Sequence, residues 1–141
     1  MDDTIRLVIV DDHSLIRETW KLVLQHDPRI KVVAECASGE EAIRFAGLVS
    51  PDVMLMDINM TPVNGLEATQ AITASQPHIR IIGLSINNQP AYARNMLQLG
   101  ARGYMTKNSP REEMVKAILT VMEGGVYICD EIKQKMLPEG K

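Results

Sequence analysis

The sequence contains few cysteines. Its 141 residues include two, Cys36 and Cys129, which lie far apart, form no C-x-x-C pattern and have no histidine at a metal-ligand spacing. This spacing gives no sign of a disulfide framework or of a structural zinc site. We therefore expect two free thiols, as is usual in a reducing compartment.

The sequence also lacks a strong charge of one sign and a long hydrophobic run. It has 15 basic and 18 acidic residues, a formal net charge of −3, and no dense cluster of Lys and Arg. This balance gives no sign of a basic surface that would bind nucleic acid or an anionic membrane. The N-terminal stretch MDDTIRLVIVDD is acidic and its apolar run is short, so it resembles neither a secretory signal nor a membrane span. We expect a cytoplasmic protein that makes no membrane contact.

What the sequence does contain is a regular alternation of strand-like and helix-like segments. A chain of this length, 45% hydrophobic, is large enough for one domain with a substantial core. Apolar periodicity and turn residues predict five strands and five helices. The strands are predicted at 5–10, 31–36, 53–56, 80–84 and 103–106, and the helices at 14–25, 39–48, 65–75, 90–99 and 110–123, with Ser38, Asn64 and Ser109 as N-caps.

This alternation predicts an α/β fold with a parallel sheet covered on both faces. The strands are almost continuously apolar, which is typical of strands buried on both sides. Right-handed crossovers then wind the chain one way from the first strand and the other way from the third. We predict a doubly wound, five-stranded sheet with strand order 2-1-3-4-5 and five helices on its two faces.

Polar side chains stand at the carboxyl ends of four predicted strands. They are Asp11 and Asp12 after the first, Asp57 after the third, Ser85 after the fourth and Lys107 after the fifth. In open α/β sheets, ligands bind outside the carboxyl ends of the strands, where the strand order reverses. One cleft could therefore hold all five side chains.

Three carboxylates in one cleft repel each other unless a positive charge lies between them. Lys107 is one candidate for that charge, and a hard divalent cation held by oxygen ligands is another. The modest number of ligands favours magnesium over calcium. A carboxylate that faces a cation, a lysine and a hydroxyl is equipped to accept a phosphoryl group, so one aspartate should be the nucleophile.

With Tyr104 three residues before Lys107, this ordered set resembles the receiver (REC) domain of two-component response regulators, over residues 5 to about 123. The resemblance implies a flavodoxin-like (CheY-like) fold and Asp57 as the phosphoacceptor. It further implies that Asp12, Asp57 and the backbone carbonyl of Asn59 hold Mg²⁺, with Asp11 acting partly through a metal-bound water.

The resemblance also implies the remaining site roles. Ser85 would hydrogen-bond the acyl phosphate and Lys107 would pair with it. Ser85, Tyr104 and Asn87 are candidate switch residues, although Asn87 could equally be an ordinary loop residue. The phosphodonor would be a sensor histidine kinase or a small phosphodonor. The chain would not be an enzyme beyond catalysing its own phosphorylation and slow autodephosphorylation.

A second resemblance concerns the C-terminal part of the chain. GYMTKNSPREEMVKAI, followed by GGVYIC, resembles the NarL/LuxR-type branch. Members of that branch usually carry a C-terminal helix-turn-helix domain that binds DNA, and they often dimerise on phosphorylation. We therefore expect a receiver domain at 1–124, a linker or connector at 125–141, and a chain truncated before its DNA-binding domain. The alternative is a stand-alone receiver.

Two other function classes use similar features. Haloacid-dehalogenase-type phosphatases combine a nucleophilic Asp, a hydroxyl, a Lys, paired acidic residues and magnesium. Those phosphatases, however, begin with the nucleophile in an Asp-x-Asp motif, and their acidic pair comes late. Here the acidic pair Asp11-Asp12 comes first, and position 59 is Asn where the phosphatase needs a second Asp. A flavodoxin would need a hydroxyl- and Gly-rich phosphate loop where DDHSL stands, and it usually stacks its flavin on aromatic residues, of which this chain has five.

Overall fold

The computed structural model of the protein describes residues 4–136 as a parallel sheet of six strands with helices on both faces. The strands are β1 (Ile5–Val10), β2 (Ile30–Cys36), β3 (Val53–Asp57), β4 (Arg80–Ser85), β5 (Gly103–Thr106) and β6 (Tyr127–Ile128). The helices are α1 (Ser14–Leu24), α2 (Gly39–Val49), α3 (Gly65–Ser75), α4 (Pro90–Gln98), α5 (Arg111–Met122) and α6 (Asp130–Met136).

The sheet has the predicted doubly wound topology. Its strand order is β2-β1-β3-β4-β5-β6, and every neighbouring pair is parallel. Helix α1 contacts α5, whereas α3 contacts both α2 and α4, as expected when the helices are divided between the two faces. The carboxyl ends of β1, β3, β4 and β5 consequently meet at one edge of the sheet.

The predicted count of five strands and five helices is wrong, because residues 127–136 add one of each. Strand β6 is too short for any hydrophobic periodicity to show in the sequence. It is held by backbone hydrogen bonds from Tyr127 N to Arg102 O and from Cys129 N to Tyr104 O. The segment predicted as linker therefore begins by extending the sheet.

The central strands form the core. Every residue of β3 and β5 is buried, as are four consecutive residues of β1. Met54 and Met56 fill this interior, and Trp20 packs against it from α1. Cys36 and Cys129 are buried free thiols, which confirms that expectation. Within residues 4–136, no helix combines the length and apolar character needed to cross a membrane.

The helix starts follow the predicted caps with one exception. The Ser38 side chain accepts a hydrogen bond from Glu41 N, and Asn64 forms a complete capping box with Glu67. Ser109 does not cap α5, because Pro110 occupies the N-cap position and Ser109 Oγ instead lies 3.1 Å from Thr106 Oγ1.

Candidate functional site

The site lies at the edge where the strands end, and strand register brings its residues together. Asp57 is the last residue of β3 and pairs with Leu84, immediately before Ser85 at the end of β4. Ser85 in turn pairs with Thr106, immediately before Lys107. Parallel pairing with matched ends therefore brings three residues, spread over fifty positions of sequence, to one corner of the sheet.

Lys107 is the positive centre of this corner. Its Nζ lies 2.7 Å from Asp11 Oδ2 and 3.2 Å from Asp57 Oδ1. Both carboxylates are fully buried and the lysine side chain is only 8% exposed. Ion pairs shielded from water in this way are screened little by salt, so removal of one partner leaves a costly unpaired charge.

The Asp57 carboxyl group has a raised pKa. The main cause is burial, which penalises the charged form, and the negative charge of Asp11 adds to it. A hydrogen bond from Asn59 N to Asp57 Oδ1 at 3.0 Å and the charge of Lys107 act in the opposite direction. The second oxygen, Oδ2, is buried without a hydrogen-bond partner. The single charge of Lys107 therefore does not neutralise this group of carboxylates, and it leaves one Asp57 oxygen without a hydrogen bond.

The turn after β1 presents the two neighbouring aspartates differently. Asp11 is buried, and its Oδ1 accepts a hydrogen bond from His13 N at 2.9 Å. Asp12 is partly exposed at the mouth of the site. The ring of His13 is largely exposed, and its Nδ1 lies 3.1 Å from Asp11 Oδ1 and 3.0 Å from Asp12 Oδ1.

These carboxylates form an arrangement that fits a divalent cation. One oxygen each from Asp11, Asp12 and Asp57, together with a ring nitrogen of His13, lie within 4.8 Å of one another. The oxygen-rich donor set and the unpartnered Asp57 Oδ2 suit a hard cation such as Mg²⁺. The structure also places the ring of His13 beside this cluster.

Ser85 connects the site to the loop that precedes α4. Its hydroxyl donates to Asn59 Oδ1 at 3.1 Å and accepts from Asn87 N at 2.9 Å. The Asn87 side chain accepts from Gln89 N at 2.8 Å, one residue before the helix begins. Ser85 and Asn87 thus link the edge of the pocket to the start of α4, and Asn87 takes part in this link through its backbone and its side chain.

Tyr104 is buried beneath the site, in a space that a glycine leaves open. A Cβ atom at Gly83, its partner on β4, would lie 2.8 Å from Tyr104 Cδ1 and 2.9 Å from Met96 Cε. Burial raises the pKa of the Tyr104 hydroxyl to about 12, while the nearby Ser85 hydroxyl partly offsets this. The hydroxyl makes no hydrogen bond of good geometry, so the ring is held by packing.

Three contacts that shape the site were not predicted from the sequence. Arg17 on α1 donates to the backbone carbonyl of Asp11, Gly83 makes room for Tyr104, and Asn59 contributes its side-chain oxygen to Ser85. The Arg17 contact could have been suspected from the sequence, because Arg17 lies in the first turns of the helix that follows Asp11-Asp12. No sequence pattern marks the other two contacts, because each is made across strands.

Comparison with known proteins gives consistent results. The family profile of the response regulator receiver domain matches residues 7–119. The transcriptional regulatory protein DegU of Brevibacillus brevis is 37% identical over 98% of this chain and 58% of its own length. The response regulators GacA of Pseudomonas viridiflava and UvrY of Escherichia coli are 39% and 37% identical over 94% of the chain and 62% and 61% of their own lengths. The chain thus spans about 60% of these relatives.

Solved structures agree with these relatives. A LuxR-family two-component response regulator from Aurantimonas sp. SI85-9A1 superposes with a TM-score of 0.91 at 33% identity, covering 94% of this chain and 95% of the other. The signal receiver domain of NarL from Mycobacterium tuberculosis gives a TM-score of 0.82 at 33% identity, covering 86% and 98%. The chain belongs to the response regulator receiver domain family, in its NarL/LuxR-type branch.

Proposed function

We propose that Asp57 accepts a phosphoryl group from a phosphohistidine of a sensor histidine kinase. The observation that carries the proposal is the pairing of Lys107 with Asp57, whose second oxygen remains unpartnered. In the transfer, an Asp57 carboxylate oxygen forms a bond to phosphorus, the phosphorus–nitrogen bond of the donor breaks, and the released imidazole nitrogen takes up a proton.

The residues around Asp57 have separate roles in this proposal. Lys107 neutralises charge that develops on the phosphoryl oxygens, and the Ser85 hydroxyl donates a hydrogen bond to one of them. The carboxylates of Asp11, Asp12 and Asp57 and the backbone carbonyl of Asn59 would hold Mg²⁺, which supplies positive charge to the same oxygens when bound. The crowded carboxylates of the site support this assignment.

The proposed switch starts from the Ser85 hydroxyl. To reach a phosphoryl oxygen, Ser85 must exchange its hydrogen bond to Asn59 for one to the new group, which moves the loop that contains Asn87. Tyr104 packs under this loop and would respond by a change in packing or rotamer. A coupling of about 1–3 kcal/mol between phosphorylation and this rearrangement suffices for a useful switch.

The chain acts as a switch and not as an enzyme on other substrates. Asn59 lies beside Asp57, where a phosphatase would use a carboxylate as general acid and base. An amide cannot accept the proton of an attacking water, and the loss of such a base slows hydrolysis by a factor of about 10²–10⁴. The acyl phosphate therefore persists long enough to signal and decays by slow autodephosphorylation.

The output of the whole protein is proposed from its relatives. GacA, UvrY and DegU are response regulators of the branch that controls transcription through output domains. We propose that phosphorylation promotes homodimerisation and regulates transcription through a C-terminal helix-turn-helix domain that binds DNA. The buried free thiols and the absence of strong net charge support a cytoplasmic location without membrane contact.

Intact-mass analysis after incubation with acetyl phosphate, with and without magnesium, tests the proposal. We expect one phosphoryl group to be gained by the wild type in magnesium and none by Asp57→Asn. Inorganic phosphate should be released only slowly from the product. Sustained phosphate release from small phosphate esters would instead identify a phosphatase and contradict the proposal.

A further inference from the structure

The peptide unit between Asp11 and Asp12 has an unusual support. Arg17 Nη1, from the first turns of α1, donates a hydrogen bond of 2.6 Å to the carbonyl oxygen of Asp11. That carbonyl belongs to the planar peptide group that joins the two aspartates. The orientation of this plane sets the directions in which the two side chains leave the backbone. Fixing the carbonyl therefore fixes one carboxylate relative to the other.

Arg17 is itself held in place from the opposite side. Its Nε is buried and lies 3.5 Å from Glu35 Oε1 of β2, an ion-pair distance without hydrogen-bond geometry. Glu35 also pairs with Lys21 Nζ at 3.1 Å, one turn further along α1. The Arg17 side chain is 18% exposed, so its position is set by the protein more than by solvent. Arg17 therefore connects Glu35 of β2 to the turn that follows β1.

Other contacts fix only Asp11. Asp11 N donates to Cys36 O at 3.0 Å, and His13 N donates to Asp11 Oδ1 at 2.9 Å. Asp12 is partly exposed, and within residues 4–136 its side chain has no hydrogen-bond or ion-pair partner apart from the His13 ring. The direction of the Asp12 carboxylate therefore depends on the peptide plane that Arg17 holds.

We propose that Arg17 is a positioning residue for the divalent cation, and that it acts by orienting Asp11 and Asp12. The inference rests on the metal site of the proposed function and adds a residue outside the carboxylate cluster. Mg²⁺ demands nearly ideal octahedral geometry, so a turn that is free to rotate must be ordered when the ion binds. Residues behind the ligands typically change metal affinity by about 10–100-fold, and the lower end suits a single backbone contact.

The charge of Arg17 acts against the effect of its geometry. A guanidinium near the cluster repels a cation, so removal of the charge alone would tighten Mg²⁺ binding. Removal of the hydrogen bond from Arg17 to the Asp11 carbonyl would weaken Mg²⁺ binding. Arg17→Lys keeps the charge and loses the planar fork, whereas Arg17→Gln loses both, so together the two variants separate the two effects.

The test is a calorimetric titration of the unphosphorylated protein with Mg²⁺ at constant ionic strength. We expect Arg17→Lys to weaken binding by about tenfold. Arg17→Gln should weaken it by a smaller factor, because loss of the positive charge partly offsets loss of the hydrogen bond. Glu35→Gln, which removes the tether and leaves Arg17 in place, should weaken binding by a smaller factor. The matched control is Arg102→Gln, an exposed arginine before β5 at the opposite edge of the sheet, which should leave the affinity unchanged.

A second readout separates positioning from a general effect on the fold. In acetyl phosphate reactions, the Mg²⁺ concentration for half-maximal rate should rise by the same factor, while the rate at saturating Mg²⁺ stays within about twofold. A lower melting temperature with unchanged Mg²⁺ affinity would overturn the proposal, as would tighter binding in Arg17→Gln with no change in Arg17→Lys. If Asp57 gains no phosphoryl group but the affinity shifts occur, the proposed function fails and the role of Arg17 stands.

Discussion

The ammonium group of Lys107 lies 3.2 Å from Oδ1 of Asp57, across the pocket formed by the ends of β3 and β5. The same nitrogen is 2.7 Å from Asp11 Oδ2, so one cation serves two buried carboxylates. This relationship is the electrostatic basis of the site. It stabilises the folded protein while leaving one oxygen of Asp57 free for chemistry.

Substitution of Lys107 by methionine should therefore destabilise the protein. In EDTA, Lys107→Met leaves two buried carboxylates unpaired, and we expect the free energy of unfolding in urea to fall by about 3 kcal/mol. Added Mg²⁺ should recover part of this loss. The control is Lys21→Met, which breaks a pair with Glu35 whose two side chains are 42% and 26% exposed, and which should cost less than about 1 kcal/mol. Equal losses for the two variants would show that Lys107 has no special electrostatic role.

The raised pKa of Asp57 predicts a pH-dependent gain in stability for Asp57→Asn. Because the folded state binds the Asp57 proton more tightly than the unfolded state, the contribution of Asp57 to stability falls as pH rises from about 4 through its folded pKa. Asparagine stays neutral throughout. The melting temperature of Asp57→Asn without divalent cations should therefore exceed that of the wild type by a margin that grows over this range and is largest near neutral pH.

Thermal melts from pH 4 to pH 8 measure this margin. Glu18→Gln, at an exposed position on α1, controls for the loss of one negative charge and should show no comparable trend. Mg²⁺ should reduce the margin at neutral pH, because it stabilises the ionised cluster of the wild type. A margin that does not vary with pH, or an Asp57→Asn protein that is less stable than the wild type at pH 7, would contradict the electrostatic account.

Gly83→Ala should displace the Tyr104 ring. The new methyl group would lie within 3 Å of both Tyr104 and Met96, and overpacking of this kind typically costs about 1–3 kcal/mol. The control is Gly47→Ala on the exposed face of α2, where Gln76 Nε2 would lie 3.9 Å from the new Cβ atom, an ordinary contact distance. That change should stabilise the protein by about 0.5–1 kcal/mol, because alanine is the better helix former. Urea unfolding of both variants measures the difference, and a neutral Gly83→Ala would show that the Tyr104 pocket is not tightly packed.

Glu131→Ala should loosen the C-terminal segment. Glu131 accepts hydrogen bonds from Asn88 Nδ2 at 2.8 Å and from Thr106 Oγ1 at 3.2 Å, which tie α6 to the loop before α4 and to the strand end before Lys107. We expect faster amide hydrogen exchange in residues 127–136 and a loss of global stability of only about 1 kcal/mol, because the bonds are partly exposed. Lys133→Ala, on the same helix, should leave the exchange unchanged. Equal exchange in both variants would mean that Glu131 does not hold the segment.

The sequence was sufficient for the doubly wound topology and for the side chains at the strand ends. Both follow from local signals: apolar runs mark the strands, and parallel pairing then brings Asp57, Ser85 and Lys107 to the same edge. The five-strand count failed because β6 consists of two residues that are ordered by pairing with β5. Such a strand has no periodicity of its own.

The unpredicted parts of the site depend on contacts between elements that are distant in sequence. Gly83 is significant only because Tyr104 packs against it from the next strand, and Glu131 only because α6 folds back onto the loop before α4. Ser109 looked like a helix cap by its spacing but hydrogen-bonds with Thr106 instead. A local pattern can nominate a residue for such a role, but tertiary packing decides its partner.

The most direct test of the account is to locate the phosphoryl group. The protein is phosphorylated with acetyl phosphate and Mg²⁺ and then reduced with borohydride, which converts an aspartyl phosphate to homoserine, and its peptides are sequenced by mass spectrometry. The account predicts homoserine at position 57 in the wild type, and none in samples without Mg²⁺ or in Asp57→Asn. Homoserine at Asp11 or Asp12, or an unmodified position 57 in a phosphorylated chain, would contradict it.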